Sequence, residues 1–476
     1  MTAEEPEADL ANRSTRAPGR KRALRLVAAI AILAVLAGLT VRLGNEGSAP
    51  TAVSEPGSAS PDLGLLRGRV PSARPSAGIA SPLAVFDPGA QTQADISRLL
   101  ATIEGSPDDG EAYRDLGFTY LQRARDTGDP SSYPAAEEAF RQAAQRSPDD
   151  SLTLVGQTGL QLARHEFTTA LETGTAAMKA APGNRAAQAV VVDALVELGR
   201  YDEAVKVAAM LLEADSLPAW NRTSYLRELH GDLKGALKAM EEAAVRGGGV
   251  PENEAFTFTL VGNLNAALGR QDRATIVFDK ALAFFPNYGP AIAGKARLAI
   301  AQGDLAEGVR LFEKAVAILP LPEYVIALGE AQEASGDLEA ARKSYDLATF
   351  QVKLFQANGV VVDVELALFE ADHGAADKAL EYARASYENR QNVKTADTLA
   401  WALYRNGDLD GAAKYSAEAL RLGSKDPILL YHAGAIAAAR GDKATARKQL
   451  EGALAIDAGF SATGAEHARS ILEGLD

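Results

Sequence analysis

YRDLGFTYLQRARDTGDPSSYPAAEEAFRQAAQRSP, residues 113–148, reads as two amphipathic helices joined by a turn. Tyr113, Leu116, Gly117 and Tyr120 recur at helical spacing. After an insertion around Asp126 to Tyr133, so do Ala136, Phe140 and Ala143. Apolar residues three and four apart share one helix face. Pro148 marks the end of the second helix, because proline inside a helix costs ~3 kcal/mol.

The pattern recurs along the chain. A small residue opening the second helix stands at Ala136, Ala170, Ala204, Ala236, Ala274, Gly308, Ala341, Ala379, Ala412 and Ala446, in steps of 32 to 38 residues centred on 34. Glycine precedes it at Gly199, Gly231, Gly269, Gly303, Gly336, Gly407 and Gly441, four of these continuing as Gly-Asp-Leu. Glycine takes the left-handed conformation that ends one helix, and the following Asp can accept from free N–H groups of the next. The small residue lets the two helices approach closely. Phe140, Met240, Phe278, Phe312, Tyr345 and Leu450, four positions on, fill the space between successive hairpins. Proline at 148, 182, 286 and 320 marks further boundaries.

A 34-residue helix–turn–helix period with these residues resembles the tetratricopeptide repeat. The resemblance covers about ten repeats across residues 93–476. Residues 93–105 read as a lone capping helix and residues 461–475 as a closing one. It implies an all-α fold, a right-handed superhelical solenoid of antiparallel helix pairs. Departures include Thr158 and Gln161 in the second repeat, an insertion at Gly247-Gly248-Gly249, and an irregular eighth repeat over residues 353–391 whose first helix reads as longer than usual.

Composition agrees: 47% of the 476 residues are hydrophobic but only 6% aromatic. That mix suits helices packed through alanine better than strands. Net charge is −14, with seven Lys/Arg against five Asp/Glu in residues 1–50, balance over 51–92, and −16 beyond. An acidic body with no basic stripe argues against nucleic acid. The absence of cysteine excludes disulfides, thiolate metal sites and a cysteine nucleophile.

Leu26–Val41 is an uncharged apolar run bracketed by Arg25 and Arg42. It is short for a bilayer core of ~20 helical residues, but flanking residues lengthen it and the arginines can snorkel. The organisation expected is a basic tail (1–22), a transmembrane anchor or signal sequence (23–43), a disordered Ser/Ala/Pro/Gly tether (44–92) and the repeat array (93–476). Arg13, Arg16, Arg20, Lys21, Arg22 and Arg25 against Arg42 alone predict a single-pass protein of the cell membrane, its N-terminus cytoplasmic and its array outside.

Nothing in the repeats reads as catalytic, cofactor-binding or metal-binding. Gly289, Gly294 and Lys295 satisfy part of a nucleotide loop, but Ala296 replaces the required Ser or Thr and no strand precedes. The five histidines, His165, His230, His373, His432 and His467, lie in different repeats without zinc spacing, and His230 and His373 read as surface turn residues. No enzyme activity, cofactor or nucleotide is expected.

The resemblance implies a concave groove, lined by first helices, that binds peptides or helices of other proteins. Carried over, its groove positions are Asn221, Tyr225, Phe256, Asn263, Arg297, Glu330, Glu333, Asp397, Trp401 and Tyr404. Trp401 and Tyr404 are the favoured anchors, since exposed aromatics commonly carry interfaces. Family members that clamp acidic chaperone tails place Lys where this chain has Thr259, so that ligand is not expected. Glu323, Glu330 and Glu333 predict an acidic groove for basic or neutral partners. The function implied is a membrane-tethered protein-interaction scaffold serving an envelope complex. The alternative is an accessory subunit binding a polysaccharide or small ligand, and self-association through an end hairpin stays open.

Overall fold

The computed structural model describes residues 88–475, so the expected tail, anchor and most of the tether lie outside the described residues. Among the described residues, no helix is long and apolar enough to cross a membrane. All regular structure there is helical, in twenty-two helices. A capping helix α1 (Pro88–Gly105), which begins inside the stretch read as tether, precedes ten hairpins. The first helices of these hairpins are α2 (Gly110–Thr127), α4 (Ser151–Ala163), α6 (Arg185–Glu197), α8 (Leu217–Leu229), α10 (Pro251–Ala267), α12 (Gly289–Ala301), α14 (Pro322–Ala334), α16 (Asp363–His373), α18 (Val393–Arg405) and α20 (Pro427–Ala439). The second helices are α3 (Ser132–Arg146), α5 (Phe167–Ala180), α7 (Tyr201–Leu212), α9 (Leu233–Val245), α11 (Gln271–Phe284), α13 (Leu305–Ile318), α15 (Leu338–Ala357), α17 (Ala376–Asn389), α19 (Leu409–Ala419) and α21 (Lys443–Ile456). A closing helix α22 (Gly464–Gly474) follows.

The repeat residues do what their chemistry allows. Asp232, Asp304, Asp337, Asp408 and Asp442 each accept from a backbone N–H three residues on, capping the second helix. Asp109 and Asp150, after the paired Ser-Pro-Asp sequences, cap first helices in the same way. The ten small residues are buried, most with no exposed surface at all. Between successive hairpins the rings seat on glycine: a Cβ on Gly117 or Gly156 would come within 2.6 or 2.2 Å of the Phe140 ring, and one on Gly262 or Gly294 within 2.5 or 2.6 Å of Phe278. In the second repeat no glycine is available for the turn, and His165 itself takes the left-handed conformation, φ 63°.

The irregularity around the eighth repeat is not where the sequence placed it. Its first helix, α16, is short at 11 residues. The excess belongs to the preceding second helix, α15, which runs for 20. No proline or glycine interrupts residues 338–357 to stop it earlier.

Simple stacking would leave each repeat touching only its neighbours. Here the superhelix closes on itself instead. Val361 N–H donates to Arg164 O at 3.0 Å, and His165 Nδ1 lies 2.6 Å from Val361 O. Arg390 pairs with Glu197 at 3.0 Å, Asn392 Nδ2 donates to Glu197 O at 2.7 Å, and Val393 N–H donates to Tyr201 Oη at 3.0 Å. These partners are 192 to 197 residues apart, more than five repeats, so the hairpin turns of one superhelical turn rest on the connections of the next.

This seam adds a second demand on two turn glycines. A Cβ on Gly199 (φ 72°) would stand 2.3 Å from Gln391 O, and one on Gly231 (φ 75°) 2.2 Å from Gly423 O. Gly269 (φ 70°) has the same conformation and nothing within 4 Å. Gly269→Ala is therefore expected to cost only the left-handed penalty, about 1–2 kcal/mol. Gly199→Ala is expected to cost more in urea unfolding and to speed amide exchange at residues 391–393. Equal losses for the two variants would mean that the seam contributes nothing.

Candidate functional site

Where the two superhelical turns face each other they leave a cavity of about 270 Å³. One wall is built by first helices: Asn221, Tyr225 and Glu228 from α8, Asn263 from α10 and Arg297 from α12. Asn221, Tyr225 and Glu228 are spaced i, i+4, i+7 and so share one face of α8. Asn263 and Arg297 are 34 residues apart, the same position in consecutive repeats. The facing wall comes from the other end of the chain: Lys394 at the start of α18, Lys425 and Asp426 before α20, and Asp457 and Phe460 after α21. Leu229, Leu260, Leu264, Leu298 and Ile456 supply an apolar floor.

Most polar side chains lining this cavity have no partner. Among the described residues the side chains of Asn221, Tyr225, Glu228, Asn263, Arg297, Lys394 and Lys425 form no hydrogen bond or ion pair. Arg297 lies over the Phe312 ring at 5.9 Å, and Lys394 over that of Tyr225 at 5.8 Å. Asn221 is the most telling, because it is only 2% exposed. Elsewhere some charged residues are paired: Lys295 with Asp279 at 2.6 Å, Arg310 with Glu307 at 2.6 Å, and the buried Arg222 with Asp193.

The cavity also holds its carboxylates against ionisation. Burial, with the neighbouring Asp426 charge added and Lys394 opposing, pushes Glu228 up to about 7. Burial pushes Asp426 up to about 6, although its Oδ1 accepts from Ile428 N–H at 2.8 Å as the cap of α20. Asp457 is raised for the same reason, and so is the Tyr225 hydroxyl.

Of the positions expected to line a groove, Asn221, Tyr225, Asn263 and Arg297 come together on this wall, and the other six do not. Trp401 corrects the sequence reading most sharply. It has no exposed surface; its ring stacks on His432 at 4.1 Å and on the half-buried Tyr404 at 4.8 Å, and its Nε1 donates to Asp372 at 2.6 Å. It is a core residue packed between repeats. Asp397, also buried, is held by His432 at 2.8 Å, and Phe256 is 4% exposed in the interior.

Of the acidic wall expected from Glu330 and Glu333, Glu330 is internal and Glu333 is half-buried. Glu330 is 3% exposed and accepts from Ser461 Oγ at 3.5 Å, while Glu333 accepts from Tyr345 Oη at 2.9 Å. Glu323 is pushed up to about 7 by burial. His373, expected at the surface, is buried with its ring 4.1 Å from that of Tyr345. The helical face through Asn221 and Tyr225 points to Glu228, which the sequence reading passed over. Nothing local marks Lys394, Asp426 or Asp457, because closure of the superhelix brings them there. Among the described residues no cluster of three His, Cys, Asp or Glu side chains is placed to hold a metal.

Tetratricopeptide-repeat models match residues 161–222, 294–353 and 398–459. No curated protein matches. Among solved structures, the human IFIT1 dimer with PPP-AAAA is similar over 70% of this chain and 79% of its own, at 15% identity and a TM-score of 0.44. PilW, a type IV pilus biogenesis factor, is similar over 44% of this chain and 97% of its own, at 18% identity and a TM-score of 0.35. YrrB, described as having an unusual peptide-binding site, is similar over 41% of this chain and 97% of its own, at 17% identity and a TM-score of 0.26. Likenesses this distant carry nothing about what the present chain binds, and none of these comparisons shows a catalytic activity. The chain carries tetratricopeptide repeats, matched by sequence over those three segments and continued as helical hairpins from α2 to α21.

Proposed function

We propose that this chain is an interaction scaffold that takes a segment of a partner protein into the cavity between its superhelical turns. The unpartnered polar wall carries the reading. Folding has left Asn221, Asn263, Arg297 and Lys394 facing one space with their hydrogen-bonding capacity unused, above an apolar floor. A bound polypeptide would supply both the backbone groups that amides recognise and the side chains that fill the floor. The apolar run at 23–43 and the arginines before it support a membrane tether with the array on the outer side. Proteolysis of intact cells that spared the array would sink that placement.

The cavity reading is tested by photocrosslinking. A benzoylphenylalanine in place of Tyr225 should yield an adduct with one contiguous segment of a discrete partner, and the same probe at the 63% exposed Ile276 should not. Combining Asn263→Ala and Arg297→Ala should weaken that partner at least about tenfold, equivalent to roughly 1.4 kcal/mol, with helicity unchanged. Equal crosslinking at both positions would overturn the assignment.

A further inference from the structure

Resting on that reading, we infer that the Glu228–Asp426 end of the cavity recognises a basic side chain, arginine or lysine, of the incoming polypeptide. The two carboxylates come from different superhelical turns, Glu228 from the last turn of α8 and Asp426 from the cap of α20, and both line the same space. Glu228 has neither a hydrogen bond nor an ion pair, and Asp426 spends its Oδ1 on the helix cap. Asn221, buried and without a partner, lines this cavity independently of the carboxylates. It would offer its amide to the guest.

The remaining charges around the pair favour a cation over an anion. Lys394 is the one cation that opposes the charge of both carboxylates, and it sits over Tyr225 without reaching either as an ion pair. Lys425 stands exposed at the rim. Asp397, which adds negative charge at Asp426, is taken by His432. On the far wall Arg297 acts against the burial of Asp457 and Glu323 without forming an ion pair with either. A guanidinium or ammonium entering between Glu228 and Asp426 meets two acceptors and the Tyr225 ring, over which Lys394 already lies at 5.8 Å. Binding should release protons, because burial holds both carboxyls partly neutral near pH 6 to 7 until a cation arrives. Affinity should therefore rise with pH.

The test pans a random displayed decapeptide library against the full chain at 150 mM salt, alongside the Glu228→Gln/Asp426→Asn variant. Asn caps helices as well as Asp does, and Gln is isosteric with Glu, so the variant keeps the fold. Wild type should enrich peptides with Arg or Lys at one fixed position, competing with the Tyr225 crosslink. The variant should enrich apolar peptides without that residue. A selected peptide should bind the wild type about tenfold more tightly at pH 8 than at pH 5.5, and the variant equally at both. Cavity-binding peptides with no basic position, or a basic preference that survives in the variant, would overturn this inference and leave the scaffold reading standing. Recovery of no cavity-binding peptide would overturn both.

Discussion

Trp401→Ala is expected to lower the stability of the array by about 3–5 kcal/mol, the usual cost of deleting a fully buried large aromatic. The ring has no exposed surface and packs against Tyr404, Tyr431 and His432. Its removal leaves a void and strips Asp372 of the indole N–H it accepts. Trp401→Phe should recover most of the packing but not the hydrogen bond, and so fall between. Urea unfolding followed by far-UV circular dichroism decides the matter. A variant with unchanged stability and lost partner binding would return Trp401 to the role its sequence position suggested. Because the ring bridges α18 and α20, the loss should appear first in amide exchange of the last three hairpins. Solenoids lose stability through nearest-neighbour interfaces.

Arg222→Met is expected to cost a similar amount, about 3–5 kcal/mol at pH 8, because it leaves Asp193 buried without its counter-charge. Arg222 pairs with Asp193 and donates to Ala189 O at 3.0 Å and Pro218 O at 3.2 Å, joining α6 to α8 just behind the cavity wall. Even with that partner, burial pushes Asp193 up to about 6. Without it the carboxyl would hold its proton to higher pH still. A raised folded value means that the folded state binds more protons than the unfolded chain, so stability is full below the ordinary carboxylate range and is lost as pH rises through the folded value. The penalty of Arg222→Met should therefore shrink from pH 8 toward pH 4, where folded Asp193 is largely neutral with or without Arg222. A penalty independent of pH would show that lost packing of the arginine stem, and not the stranded charge, is responsible.

The parts of this molecule legible in its sequence are those built from contacts inside one repeat or between neighbours. Gly-Asp turns, the buried alanines near the start of each second helix and the rings four residues later have local steric or capping reasons, so they repeat with the period and name the hairpins. The face of α8 bearing Asn221 and Tyr225, and the 34-residue step from Asn263 to Arg297, were readable on the same grounds. Period alone does not say which of two apolar-looking positions meets solvent. Trp401 and Phe256 lie on first helices, as groove residues must, yet both are buried in the interior.

Closure of the superhelix was beyond local reading altogether. It depends on small rotations between hairpins accumulating over more than five repeats, until Gly199 reaches Gln391 and Gly231 reaches Gly423. No residue pattern encodes that sum. By itself the sequence determined the helical hairpins, their number and their order, because each rests on contacts a few residues apart. Only the tertiary structure decided that Glu228 and Asp426 share one cavity, since the meeting of residues some two hundred positions apart is a property of the whole superhelix.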